Sequence, residues 1–398
     1  MRALNRSTII ILATIAIVMV AFGIVIPILP SYLESMGASG RDLGLLTATF
    51  AVAQLFTSPV WGNISDRIGR KPVIIFGLVG CALTLLLYGL VTHLWMMYLV
   101  RILAGVLASA TFPTAMAYIG DTTSEEERSG GMGLISAAQY AGIMLGPALG
   151  GWLSAVSATF PFYFASGMCV VLLGFALLFL PESLPPERRV RTPGGSWLSG
   201  PDFPAMWRAL RGPVGYLLFL SFLISFGLNC FWSVFGLYAL QRYGYGPGPV
   251  GTIMAAIGVG STVVQAGLTD PLTRKWGETR LIRVALAASA VGFLIMLPAT
   301  TFVTVLLTAC FFVMANSLLR PVVTALISKR TEQGQGTAMG LNNAFMSLGQ
   351  IVGPIWAGYT LDANLFLPYL SGALVMLAGL GLECFRGVAR KQRCAVKP

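Results

Sequence analysis

The stretch GIMLGPALGG, residues 142–151, decides the fold, because it returns 207 positions later as GQIVGPIWAG, residues 349–358. Gly142, Gly146, Pro147 and Gly151 of the first copy match Gly349, Gly353, Pro354 and Gly358 of the second. Each copy sits in an apolar run about as long as a membrane-crossing helix. Proline deletes a backbone donor and bends a helix. Glycines three or four residues apart bare one face, so that a second helix can come close. Finding the pattern twice, half a chain apart, implies two related halves in a membrane.

Working outward, the whole chain supports that reading. Of its 398 residues 56% are hydrophobic and only 10% charged, with a mean hydropathy of +0.78. So few charges cannot cover a soluble surface of this size. The expected class is an all-α membrane protein. Apolar runs of roughly 20 residues are what a bilayer core requires. Twelve are expected, near 8–30, 43–63, 73–91, 94–118, 132–155, 160–180, 213–238, 248–270, 279–298, 300–327, 336–358 and 365–386. They divide into two pseudo-symmetric six-helix bundles, residues 1–180 and 213–398. A Pro-, Gly- and Arg-rich linker, 181–212, joins them and carries a short amphipathic helix near Phe203 to Arg211. The run from Thr8 to Pro30 is too long for a signal core and is read as the first spanning helix.

The net charge of +11 would suggest nucleic acid in a soluble protein. Here its placement matters more. Among the 26 lysines and arginines, only Arg41 and Arg242 fall on one side of the expected spans, and Arg101 and Arg320 lie within them. The rest fall on the other side, which the positive-inside rule makes cytoplasmic, together with both termini and the linker. The excess is thus a topology signal and not a nucleic-acid site. Cys81, Cys169, Cys230, Cys310, Cys384 and Cys394 form no CxxC pair and read as packing residues. His93, the only histidine, reads as interfacial. One histidine, no HExxH and no pair of intramembrane aspartates exclude a recognisable catalytic constellation. No GxxxxGK[ST] loop is present, so transport through such a bundle would run on a gradient or on a separate energising subunit, with no cofactor.

Between the second and third spans lies GNISDRIGRK, residues 62–71, in which Asp66 and Arg70 can pair at the helix ends. A looser copy, Asp270, Arg274, Lys275 and Gly277, follows the eighth span. GNISDRIGRK resembles the signature loop of the major facilitator superfamily, and the resemblance extends over essentially the whole chain. Gly23, Pro27 and Pro30 resemble its first-helix motif. Arg101 in LVRILAGVLASA resembles its fourth-helix motif. Gly142, Gly146, Pro147, Gly150 and Gly151 resemble the fifth-helix motif of its antiporters. SFGLNCFWSVFGLY and LLRPVVTALIS are similar to bacterial multidrug pumps of the NorA/Bmr type, in the twelve-helix drug:proton antiporter branch. The resemblance implies proton-coupled efflux of small amphiphiles by a monomer in a bacterial inner membrane. It implies that Asp66, Arg70 and Asp121 form a charge relay latching the halves.

The chain departs from that type in one respect. Pumps of this type are expected to carry embedded carboxylates in helices 7 and 10, where Trp232 and Ser317 stand here. The fifteen acidic residues all fall in loops or near expected helix ends. The embedded ions are Arg101 and Arg320, each costing about 2.5–3.5 kcal/mol on insertion scales and therefore functional by default. Arg101 lies about 10 Å from the outer end of its helix, within reach of the interface by snorkelling. Arg320 precedes Pro321, whose bend frees carbonyls. Two embedded cations and no embedded acid favour neutral, zwitterionic or anionic amphiphiles over permanent cations. The remaining lining is expected from Phe22, Gln54, Gln139, Tyr140, Asn229, Phe231, Trp232, Phe235, Tyr238, Asn316, Asn342, Asn343 and Met346. Asp121 is the expected proton carrier. Export or flipping of a lipid-like or sugar-like metabolite, its anionic headgroup held by Arg101 or Arg320, is the alternative.

Overall fold

Spans this apolar have no water to satisfy their peptide groups, so the backbone must satisfy itself within helices. The computed structural model describes residues 6–189, 203–212, 214–331 and 335–395, and among these every regular element is helical. The first half supplies α1 (Arg6–Glu34), α2 (Gly40–Ile68), α3 (Arg70–Leu90), α4 (Leu94–Ala108), α5 (Thr111–Thr122), α6 (Glu125–Leu153) and α7 (Phe160–Phe179). The linker supplies α8 (Phe203–Leu210). The second half supplies α9 (Gly215–Tyr243), α10 (Pro247–Val263), α11 (Thr269–Trp276), α12 (Glu278–Ile295), α13 (Phe302–Ser317), α14 (Leu319–Arg330), α15 (Gln335–Ala363) and α16 (Leu367–Ala395). Residues 190–202, including Arg191 and Asp202, lie outside the described residues, as do Arg2, Glu332 and Lys397.

Among the described residues ten segments are long and apolar enough to cross a membrane. Three of them are interrupted helices: α4 and α5 form one span, Leu94–Thr122, α13 and α14 form another, Phe302–Arg330, and α10 and α11 form a third, Pro247–Trp276, joined through a wider π-helical turn at Val264–Leu268. The remaining two expected spans fall on α12, which begins with Glu278, Arg280 and Arg283, and on α15, which carries Asn342, Asn343 and Gln350. These interruptions were not foreseen, and the first two match each other. Thr111 and Thr122 bound α5, while Leu319 and Arg330, each 208 positions on, bound α14.

Packing divides the chain into two units. Unit 1 holds Met1–Ala38, Thr49–Pro201 and Gly244–Gly258; unit 2 holds Ser39–Ala48, Asp202–Tyr243 and Val259–Pro398. These differ from the expected halves in two pieces. The first turns of α2 pack with unit 2, and the first turns of α10 pack with unit 1. Within unit 1, α1 and α6 cross closely: Gly142 faces the Ala16 carbonyl, and Gly146 faces Val20 and Gly23. Within unit 2, Gly349 and Gly353 bring α15 equally close to Ser225 and Phe226 of α9. The core of unit 2 is aromatic. Phe231 lies 4.9 Å from Phe235 and 5.1 Å from Phe312, and Tyr238 lies 4.5 Å from Tyr369, measured between ring centroids.

Other expectations can be placed on this frame. Helix α8 has the amphipathic character read from sequence, with Met206 and Ala209 buried and Trp207 exposed beneath Arg211. Cys81 and Cys169 are buried side by side, 3.6 Å apart, as free thiols. Glu383 needs correction: it sits inside α16 and is buried, where a position near a helix end was expected.

Candidate functional site

The first cluster is built on the turn between α2 and α3. Gly69 takes a φ of 110°, a conformation side-chain-bearing residues avoid, and so lets α3 start immediately after α2. That turn points Arg70 back at its neighbours. The Arg70 guanidinium reaches Asp66 at 2.5 Å, Asp121 at the end of α5 at 2.9 Å, and the Ser65 hydroxyl at 2.7 Å. Arg70 is buried, while both carboxylates keep some exposure. The guanidinium is therefore shared between two partly exposed acids.

Sequence reasoning missed a third acid here. Glu182, just past α7, accepts the backbone N–H groups of Arg70 (2.8 Å), Lys71 (3.2 Å), Ser183 (3.0 Å) and Leu184 (3.0 Å). It satisfies the free amides that begin α3 and complements the positive end of that helix. Tyr118 of α5 donates to the Pro181 carbonyl at 3.0 Å, so α3, α5 and the chain leaving α7 are joined at one point. A matching junction stands 208 positions on with the charges reversed: Glu278 at the start of α12 pairs with Lys329 near the end of α14.

At the opposite end of α2, about 39 Å away at 1.5 Å per residue, lies the second feature. Gly44 abuts the Pro354 carbonyl of α15, and Gly358 abuts the Gly40 carbonyl of α2. Likewise Gly251 of α10 abuts the Pro147 carbonyl of α6, and Gly151 abuts the Pro247 carbonyl. A methyl group at any of the four would overlap backbone. Positions 40 and 44 map onto 247 and 251 by the same 207-residue offset that relates the two glycine–proline stretches. The repeat thus governs the partner helices as well as the motif itself. The two seams differ in their polar contacts. At one, Asp362 accepts from the amides of Gly40 and Arg41; at the other, the Trp152 indole donates to the Thr252 hydroxyl at 3.4 Å.

The third feature is Arg101. It is 7% exposed and does not snorkel. Its guanidinium carbon lies 5.9 Å from the Phe50 ring centre and 5.8 Å from that of Tyr88, and its Nε has no hydrogen-bond partner. Two ring faces provide attraction that partly replaces water around the cation. Phe22 extends the aromatic wall, 5.5 Å from Phe50. Arg320, by contrast, is exposed at the start of α14, so the carbonyls freed at the bend do not enclose it.

The expected lining residues separate into two sets. Phe22 and Tyr140 are exposed, and Gln54, Gln139, Asn229 and Trp232 are half-buried. Asn343 is exposed as well. Phe231, Phe235 and Tyr238 have no exposed surface, and Asn316, Asn342 and Met346 are buried. In this structure those six pack instead of lining a space. Asn342 accepts from Ser221 at 2.7 Å and donates to Thr324 at 3.3 Å, Ser225 donates to the Met346 carbonyl at 2.7 Å, and the Asn229 amide bonds the Ser225 carbonyl at 2.8 Å. The first three bonds hold α15 to α9 and α14, and the last lies within α9; a buried amide without partners is costly.

A repeated set of membrane-crossing helices, with charged junctions at one end and close glycine crossings at the other, defines a membrane carrier built from two related repeats. The sequence profile described as Major Facilitator Superfamily matches residues 11–354 and again 270–391. The chain belongs to that superfamily. It is 36% identical over 375 residues to Multidrug resistance protein 2 of Bacillus subtilis, covering 94% of this chain and 93% of the relative. It is 27% identical over 378 residues to Quinolone resistance protein NorA of Staphylococcus aureus, covering 95% of each. The nucleoside transporter NupG shares the fold at a TM-score of 0.78 and 15% identity, covering 97% of this chain and 99% of that one.

Proposed function

We propose that this chain is a secondary active exporter of drug-like amphiphiles, driven by protons and working as a monomer in a bacterial inner membrane with both termini cytoplasmic. The names of its multidrug- and quinolone-resistance relatives support the cargo class. The observation that carries the mechanism is the doubled crossing: α2 against α15, and α10 against α6, with the same glycines at the same offset. Two seams of like shape, one for each copy of the repeat, suit a carrier in which bundles 1–180 and 213–398 alternate access to the two membrane faces.

Asp66, Arg70 and Asp121 serve as the inner gate. A proton on Asp121 weakens its hold on Arg70 and leaves the guanidinium to Asp66, so protonation and gate geometry are linked through one shared cation. Arg101 sets the charge preference. A buried guanidinium held by rings and lacking a carboxylate repels permanent cations and favours neutral, zwitterionic or anionic cargo.

The test uses purified protein in vesicles with an imposed pH gradient. A neutral antibiotic and an anionic fluorescent amphiphile are expected to move several-fold faster than ethidium, and collapsing the gradient is expected to stop all three. Fastest transport of ethidium would overturn the charge preference. Undiminished transport without a gradient would overturn the coupling, and movement of a fluorescent lipid alone would favour the headgroup-exporting alternative.

A further inference from the structure

The amides at the start of α2 point to a clasp. A helix leaves four N–H groups without intrahelical partners at its beginning. At α2 these belong to Ser39, Gly40, Arg41 and Asp42, since the first helical bond runs from Leu43 to the Ser39 carbonyl. Two are satisfied locally by a capping box: the Asp42 carboxylate accepts from the Ser39 amide at 2.9 Å, and the Ser39 hydroxyl accepts from the Asp42 amide at 3.3 Å. The other two are satisfied from 321 and 322 residues away. Asp362, near the end of α15, accepts from the Gly40 amide at 2.7 Å through Oδ1 and from the Arg41 amide at 2.9 Å through Oδ2. One turn earlier on α15, the Tyr359 ring lies under the Arg41 guanidinium at 5.8 Å.

We infer that Asp362 is a positioning residue of the transport cycle, a carboxylate clasp that holds the start of α2 to α15 and must let go whenever this end opens. The geometry separates it from an ordinary cap. A cap belongs to its own helix and moves with it, whereas this carboxylate sits on a different helix. Its two bonds form only while Gly44 and Gly358 lie in contact with the opposite backbone. Both oxygens are engaged and the acceptor is charged, so each bond is of the stronger, charge-assisted kind. The helix N-terminus adds its own attraction for a negative group. The α6/α10 seam has the same glycine crossing without any such carboxylate; Ala155 stands 207 positions before Asp362. The two seams are thus alike in shape and unequal in strength, and the α2/α15 seam is the one held by charge. Its effect is on the balance between closed and open forms, not on contact with substrate.

The inference rests on the proposed orientation, which puts this end outside, and the experiment separates the two. Ala48, one turn beyond Gly44 on the same face of α2 and buried, is replaced by cysteine and labelled with a membrane-impermeant maleimide. Signal from the native cysteines is subtracted using the protein without that change. In intact cells, Asp362→Ala is expected to raise labelling of Ala48→Cys several-fold over the protein with Asp362 intact. Asp362→Asn, which keeps the shape and one acceptor, is expected to give a smaller rise. Equal amounts of monodisperse protein extracted from membranes show that the variants fold. Unchanged labelling in both variants would overturn the clasp. A rise seen only in everted vesicles would uphold the clasp and overturn the orientation.

Discussion

In the proposed mechanism Arg101 is the side chain on which substrate choice turns. Its burial is unfavourable to stability, since a cation in hydrocarbon costs about 2.5–3.5 kcal/mol on insertion scales and two aromatic faces return roughly 0.5–2 kcal/mol each. Arg101→Leu is therefore expected to insert as well as the parent and to melt no lower in detergent. The same variant should lose preference for neutral and anionic cargo, with the ratio to ethidium transport falling about tenfold, the equivalent of about 1.4 kcal/mol. A lower melting temperature with an unchanged ratio would make Arg101 structural. Arg101 was legible from sequence because an arginine stands out in an apolar run. Asp362, Glu182 and Glu278 were not, because an acid near a helix end has many unremarked uses and only the fold reveals whose amides it meets. Phe231, Phe235 and Tyr238 failed in the other direction. A helix that is apolar all round gives no period from which to tell a packed ring from an open one.

At the scale of elements, junctions and seams make different demands. Glu182 satisfies amides at the start of α3 and in the turn it begins. Glu182→Ala is expected to cost about 0.5–2 kcal/mol, the usual cost of losing a helix cap, read as a fall of a few degrees in the thermal transition. Glu182→Gln should recover part of it. Gly251 tolerates no side chain, since its face meets the Pro147 carbonyl. Gly251→Val is expected to abolish drug export in an efflux assay while leaving the amount of protein in the membrane within about twofold. Gly167, with open space around it, is the control: Gly167→Ala should export normally. The glycine–proline pattern announced close crossings from sequence alone. It could not announce that one copy touches two neighbours, with Gly142 and Gly146 on α1 and Gly151 on α10. Nor did propensity mark the breaks after α4 and α13, at Ser109 and Ala110 and at Leu318, within runs that hydropathy reads as continuous.

At the scale of the whole molecule, the repeat and the asymmetry of basic residues together argue for an even number of crossings with both ends inside. A reporter fused after Pro398 that is active only in the cytoplasm should therefore be active, and a periplasm-dependent one silent. The opposite result would either remove one span from the count or invert the proposed orientation. The membrane-embedded class and the two-fold plan were readable because hydropathy and an exact offset survive without knowledge of contacts. The exchange of the first turns of α2 and α10 between packing units was not, because it arises from which backbones the glycines admit. The choice of arginine at position 101 has one further effect. A flat, weakly hydrated guanidinium suits a place between the Phe50 and Tyr88 rings, whereas a lysine would bring a compact, strongly hydrated ammonium that parts with its water less readily.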